Sequence, residues 1–148
     1  MVAIGRERSL RRWEGSFPAE VTAVPTARRI ARSKLGEWGW DVDNERVRDV
    51  LLILAELTTN AIRHASESGD VVRVQIDEAD GYFRIEVLDS RPDLPLKKVQ
   101  AARNDEHGRG LLLVQGLAHA MGEELAATTK KVWASVRVAD ALARPRCL

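Results

Sequence analysis

Cysteine is nearly absent. Cys147 is the only one in the chain, and a single thiol builds neither a disulfide framework nor a cysteine-based zinc site. A reducing, cytoplasmic location is therefore the expectation. Long apolar runs are missing too: none approaches the roughly 20 residues that cross a bilayer, so no membrane partner is expected. The basic N-terminal stretch "MVAIGRERSLRRW" carries no apolar h-region and no small-residue cleavage site, which argues against a secretory leader. Excess charge of one sign is lacking as well. The formal net charge is +1, and that balance makes no general electrostatic case for nucleic acid. Arg28, Arg29, Arg32 and Lys34 are better explained as the outer face of a helix. Internal repeats and low-complexity tracts are not found.

What remains is 148 residues with 45% hydrophobic and 30% charged content, the make-up of one globular domain over 1–148. That length buries a core without staples. "RRWEGSF" (11–17) reads as a short strand closed by Pro18. From 22 to 38, Ala27, Ile30, Ala31 and Leu35 recur at helical spacing, with Pro25 tolerable only in the first turn. Asp43 is placed to cap a second helix over 44–65. There Val47, Val50, Leu51, Leu54, Thr58, Ala61 and Ala65 form an apolar stripe, and Asp49, Glu56, Asn60 and Arg63 fall opposite. Trp38 and Trp40 fit either core packing or a partner-facing surface. "VVRVQIDE" and "YFRIEVLDS" alternate around "ADG", a hairpin signal. Residues 90–107 read as a polar loop, 108–122 as a Gly-punctuated helix, and "EELAATT" and "KVWASVRV" as strands turning at Lys130–Lys131. The order β-α-α-β-β-loop-α-β-β predicts an α+β fold with helices on one face of a mainly antiparallel sheet.

Three constellations could carry chemistry. Glu56 and Asn60 are four apart and so share one face of a helix. A carboxylate and an amide oxygen in one small volume suit Mg²⁺, which takes one or two protein oxygens plus phosphates and water. Such a carboxylate can also orient or deprotonate an attacking hydroxyl. Asp89, closing an alternating strand, can accept a hydrogen bond from an amino group such as the adenine amine. In "HGRGLLLV" (107–114), two glycines at a helix start let backbone N–H groups approach a phosphate. Each feature has a plainer reading when taken alone: a solvated helix face, an Asx turn and a turn into a core helix.

Their order and spacing resemble one family. A helix with E-x-x-x-N, an Asp after a strand, a Pro-bearing loop and G-x-G-L before a helix resemble the Bergerat ATP-binding fold. That histidine-kinase-like (GHKL) fold is shared by gyrase B, Hsp90, histidine kinases and MutL. Within it, "ELTTNAIRHA", "VLDSRPDLP", "HGRGLLLV" and "KKVWASVRV" resemble the anti-sigma-factor serine kinases of the RsbW and SpoIIAB type. The stand-alone ATP-binding regulators of actinobacteria are similar too. The resemblance covers about 12–138. It implies a two-layer α/β sandwich, three main helices on one face of a mixed, mainly antiparallel sheet, with ATP and Mg²⁺ as cofactors.

Carried over by position, the resemblance implies that Glu56 is the catalytic base or positions the acceptor hydroxyl. Asn60 would hold Mg²⁺ and Asp89 would read the adenine amine. Gly108, Arg109, Gly110 and Leu111 would wrap the phosphates, with 90–107 as the ATP lid and Leu94 lining the adenine pocket. The chain ends soon after its last strand, so a complete histidine kinase is not expected. The first glycine box departs from D-x-G-x-G: Arg91 and Asp93 occupy both glycine positions. Lys130 and Lys131 stand where the family often offers a threonine near the adenine.

Two functions follow. One is a Mg²⁺- and ATP-dependent protein serine/threonine kinase of anti-sigma type, whose partners are a sigma factor and a small antagonist protein. The other is a non-catalytic regulatory module that binds a partner protein and keeps a degenerate nucleotide site. Relatives of this type form homodimers.

Overall fold

The computed structural model of the protein describes residues 11–64, 69–90 and 106–138, with the backbone alone at 64 and 106–109. The chain begins with strand β1 (Arg11–Pro18), followed by helices α1 (Ala23–Glu37) and α2 (Glu45–His64). The hairpin β2 (Val71–Ala79) and β3 (Tyr82–Asp89) comes next, then helix α3 (Glu106–Leu117) and strands β4 (Ala120–Leu125) and β5 (Lys130–Arg137). The sheet order is β1-β2-β3-β5-β4. Every pairing between described strands is antiparallel, so the α+β expectation holds with no parallel member among them.

Period-two alternation decides the faces. Val72, Val74 and Ile76 of β2, Phe83, Ile85 and Val87 of β3, and Val132, Ala134 and Val136 of β5 are all buried. They meet α2, which packs on β2, β3 and β5, while α1 and α3 pack against α2. A buried Val, Leu, Ile or Phe side chain contributes about 1.5–3 kcal/mol, so these rows are the main attraction between the two layers. The other face is charged. Arg12 forks onto Asp77 at 2.7 and 3.0 Å, Arg84 donates to Glu86 at 2.6 Å, and the Arg84 guanidinium stands 4.3 Å from the Trp133 ring centroid. Such exposed pairs are individually weak, but they leave that face polar.

The connections follow turn chemistry. Gly39, at φ 97°, ends α1 in a Schellman motif: its N–H donates to the Gly36 carbonyl at 3.0 Å and the Trp40 N–H to the Leu35 carbonyl at 3.1 Å. Asp80 and Gly81 both take positive φ, the backbone that a two-residue hairpin turn requires. Trp40 belongs to the core, tilted against Phe83 with centroids 5.1 Å apart. Its indole N–H donates to the buried Glu78 carboxylate at 3.0 Å, which also accepts from Arg11 at 3.1 Å. Trp40→Phe keeps the ring and removes that donor, and should cost about 1–3 kcal/mol in urea unfolding. A loss below about 0.5 kcal/mol would show that Glu78 does not depend on the indole.

Three local expectations are corrected. The α2 cap is Asn44, not Asp43: Asn44 Oδ1 accepts from the Arg46 N–H at 2.8 Å, and Asp43 instead faces Arg32 at 3.6 Å. α3 ends at Leu117, and β4 has begun by Ala120. The His119 N–H donates to the Ser135 carbonyl at 2.7 Å, so pairing with β5 wins over continuing the helix. The last turn is at 126–129, closed by the Ala126 N–H on the Thr129 carbonyl at 2.9 Å. Lys130 is consequently inside β5 rather than in the turn.

Candidate functional site

The site grows from the C-terminal half of α2. The expected stripe of Val47, Val50, Leu51, Leu54, Thr58 and Ala61 is buried, and Thr58 satisfies its hydroxyl by donating to the Leu54 carbonyl at 2.7 Å. Ala65 lies outside the described residues. The buried arc extends further than the stripe predicts, through Ile53 and Leu57 to Asn60. α2 meets the sheet, α1 and α3 at once, so little of its circumference is left to water. Arg63 alone of the four polar residues expected opposite the stripe is exposed.

Asn60 is only 6% exposed. Its Oδ1 is the buried side-chain oxygen that has no hydrogen-bond partner among the described residues. A buried carbonyl oxygen left so costs about 1–3 kcal/mol, which a ligand could recover. Glu56, one turn earlier, is half-buried. Gly110 of α3 comes so close to it that a Cβ there would overlap Glu56 Oε1. Behind this contact Leu111 and Val114 are buried in the core. The glycine therefore sets how near α3 lies to the carboxylate.

The donor chemistry of these residues suits Mg²⁺. They offer one unpartnered amide oxygen beside a carboxylate, the sparse donor set of an ion that keeps waters and phosphates as its other ligands. Among the described residues no group of three or more His, Cys, Asp or Glu forms a metal cage.

The second part of the site is at the sheet end where β3 stops and β5 starts. Asp89 and Lys130 are direct cross-strand partners. They continue the buried rows Phe83-Ile85-Val87 and Val132-Ala134-Val136, and so point to the helical layer. Lys130 Nζ lies 3.6 Å from Asp89 Oδ2, with side chains 0% and 4% exposed. A buried ammonium needs a counter-charge, and Asp89 supplies it. Period-two counting back from Val132 was the signal that could have placed Lys130 indoors.

α3 already starts at Glu106, so Gly108 belongs to its first turn, where backbone N–H groups have no intrahelical partner, and Arg109 follows it. Gly110 and Leu111 lie past that turn, one against Glu56 and the other in the core. Leu94, Arg91, Asp93 and most of the expected lid at 90–107 lie outside the described residues. His64 ends α2.

Residues 17–136 match the family model of the histidine kinase-like ATPase domain. No curated protein sequence matches the chain. Among solved structures, the RsbU and RsbW domains of Rv1364c from Mycobacterium tuberculosis superpose with a TM-score of 0.62 at 18% identity, over 86% of this chain and 32% of that one. The histidine kinase domain of the blue-light activated histidine kinase from Erythrobacter litoralis EL346 gives a TM-score of 0.53 at 23% identity, over 66% of this chain and 46% of that one. The chain thus spans less than half of either structure. At these identities the likeness is one of fold.

Proposed function

Because the chain belongs to the histidine kinase-like ATPase domain family, we propose that it binds ATP with Mg²⁺ and is a regulatory protein serine/threonine kinase of the anti-sigma-factor type. The observation that carries this reading is the buried, unpartnered Asn60 Oδ1 one turn from Glu56. A scaffold gains nothing from such an oxygen, whereas a metal-nucleotide satisfies it. Mg²⁺, when bound, supplies charge neutralisation at the phosphates. Asn60 would hold the ion, and Glu56 would take the proton of the acceptor hydroxyl or orient it. The backbone N–H of Gly108 in the first turn of α3 would face the phosphates with Arg109 beside it, and Gly110 keeps α3 against Glu56. Asp89 would stand at the base, where the sequence resemblance also assigns Leu94. The acceptor is a serine or threonine of a small antagonist protein and the regulated partner is a sigma factor, both taken from the sequence resemblance.

A second reading, a non-catalytic partner-binding module, is favoured by the base end. There Asp89 already has Lys130 against it, and Arg91 and Asp93 replace two glycines.

Thermal melting with and without Mg·ATP tests the first reading. At about 100 times its Kd a ligand adds about 2.7 kcal/mol, roughly 5–11 °C for a chain of this size. Asn60→Ala should still fold and lose the Mg²⁺-dependent part of the shift. Glu56→Ala should keep the shift and lose phosphoryl transfer. No shift in millimolar Mg·ATP would refute nucleotide binding, and loss of the shift in Glu56→Ala would contradict the role given to that residue.

A further inference from the structure

Lys130 is the largest departure from expectation in the described structure: a fully buried lysine on the helical side of the sheet. It is also the cross-strand partner of the carboxylate that the proposed function sets against the base. We propose that Lys130 determines base specificity, because its ammonium takes the place of an exocyclic amine at Asp89 and the site does not select adenine by its amine. This rests on the reading that a nucleotide binds here with its base at Asp89.

The physical argument is one of local charge. A lone buried carboxylate attracts an amine N–H and repels a carbonyl oxygen. It therefore separates a 6-amino purine from a 6-oxo purine, since hydrogen bonds to charged groups are the strong ones. With Nζ 3.6 Å from Oδ2 and both side chains out of water, the arriving base meets an ammonium together with the carboxylate. The carboxylate attracts the amine and the ammonium repels it; for a 6-oxo group the two effects reverse. Either way they largely cancel. Geometry reinforces this, because Lys130 is 0% exposed and Asp89 is 5% exposed. A base that sought Oδ2 would compete with the ammonium that already faces it. Recognition is left to the phosphate end, where Asn60 Oδ1 and the first turn of α3 act on any nucleoside triphosphate alike.

The test uses the intact chain and three Mg²⁺-nucleotides: ATP, ITP and purine ribonucleoside triphosphate, which has hydrogen in place of the amine. Affinities are read by calorimetry or thermal shift. All three should bind within about threefold of one another. ATP binding at least tenfold tighter than both others would overturn the inference while leaving nucleotide binding intact. If none of the three binds at millimolar concentration, the proposed function fails and the inference falls with it. Lys130→Thr takes the ammonium away from Asp89 and should create an ATP preference of about tenfold or more. A folded Lys130→Thr chain that still binds ATP and ITP alike would also overturn the inference. Should that variant fail to fold, the three-nucleotide comparison on the unaltered chain decides alone.

Discussion

Lys130→Met is expected to destabilise the protein by about 3–5 kcal/mol, the cost of removing one member of a buried ion pair. Native domains are stable by about 5–15 kcal/mol in total, so this one change removes a large share. The melting temperature should drop by roughly 6–20 °C. Methionine matches the lysine stem in length and fills the same space, so packing changes little and the loss comes from Asp89. The sign reverses when the carboxylate goes too. Replacing a buried ion pair by apolar residues is often neutral or stabilising by about 1–4 kcal/mol, so Asp89→Leu/Lys130→Met should recover most or all of the loss. Urea unfolding of the two single variants and the double gives the coupling energy directly. A single-variant loss below about 1 kcal/mol would mean that the ammonium reaches water along its stem and that the pair is not sealed.

Gly110→Ala should separate activity from stability. A glycine inside a helix costs about 0.5–1 kcal/mol relative to alanine, and Gly110 sits within α3 with ordinary helical backbone. The new methyl would meet the end of the Glu56 side chain, a flexible group that can swing aside. The fold should therefore be unchanged or slightly more stable. Catalysis should suffer, because Glu56 is the group proposed to handle the acceptor hydroxyl, and a displacement of about 1 Å can cost about 100-fold in rate. Phosphate release from ATP, or transfer to a protein acceptor, should fall by about that factor while Mg·ATP still shifts the melt through Asn60. Undiminished turnover in Gly110→Ala would remove Glu56 from the chemistry. A large stability loss would mean that α3 and α2 cannot accommodate the methyl.

Local chemistry made much of this protein legible before any tertiary contact. The alternation in "VVRVQIDE" and "YFRIEVLDS" and the "ADG" between them became β2, β3 and a turn with two positive-φ residues. The stripe from Val47 to Ala61 became the packed face of α2. The spacing of Glu56 and Asn60 put both on one helix edge, a consequence of 3.6 residues per turn and nothing else. Other features were misread because the deciding partner is distant in sequence. "GLAHAMG" is helical by composition, yet β5 captures His119 and Ala120 through ladder hydrogen bonds. Asn44 and Asp43 are equally good caps on paper, and the start of α2 at Glu45 leaves Asn44 to accept from the Arg46 N–H.

The site divides along the same line. The sequence by itself determined which polar atoms α2 carries and at what interval, since helical geometry depends only on neighbours along the chain. Only the tertiary structure decided that Asn60 is shut off from water with its oxygen unpartnered, that Gly110 is the surface Glu56 touches, and that Lys130 stands against Asp89. Periodicity says which residues share a face. What covers that face depends on elements brought together from 41 residues (89 to 130) to 54 residues (56 to 110) apart in the chain, and it is that covering which fixes solvent access, charge compensation and hence chemistry.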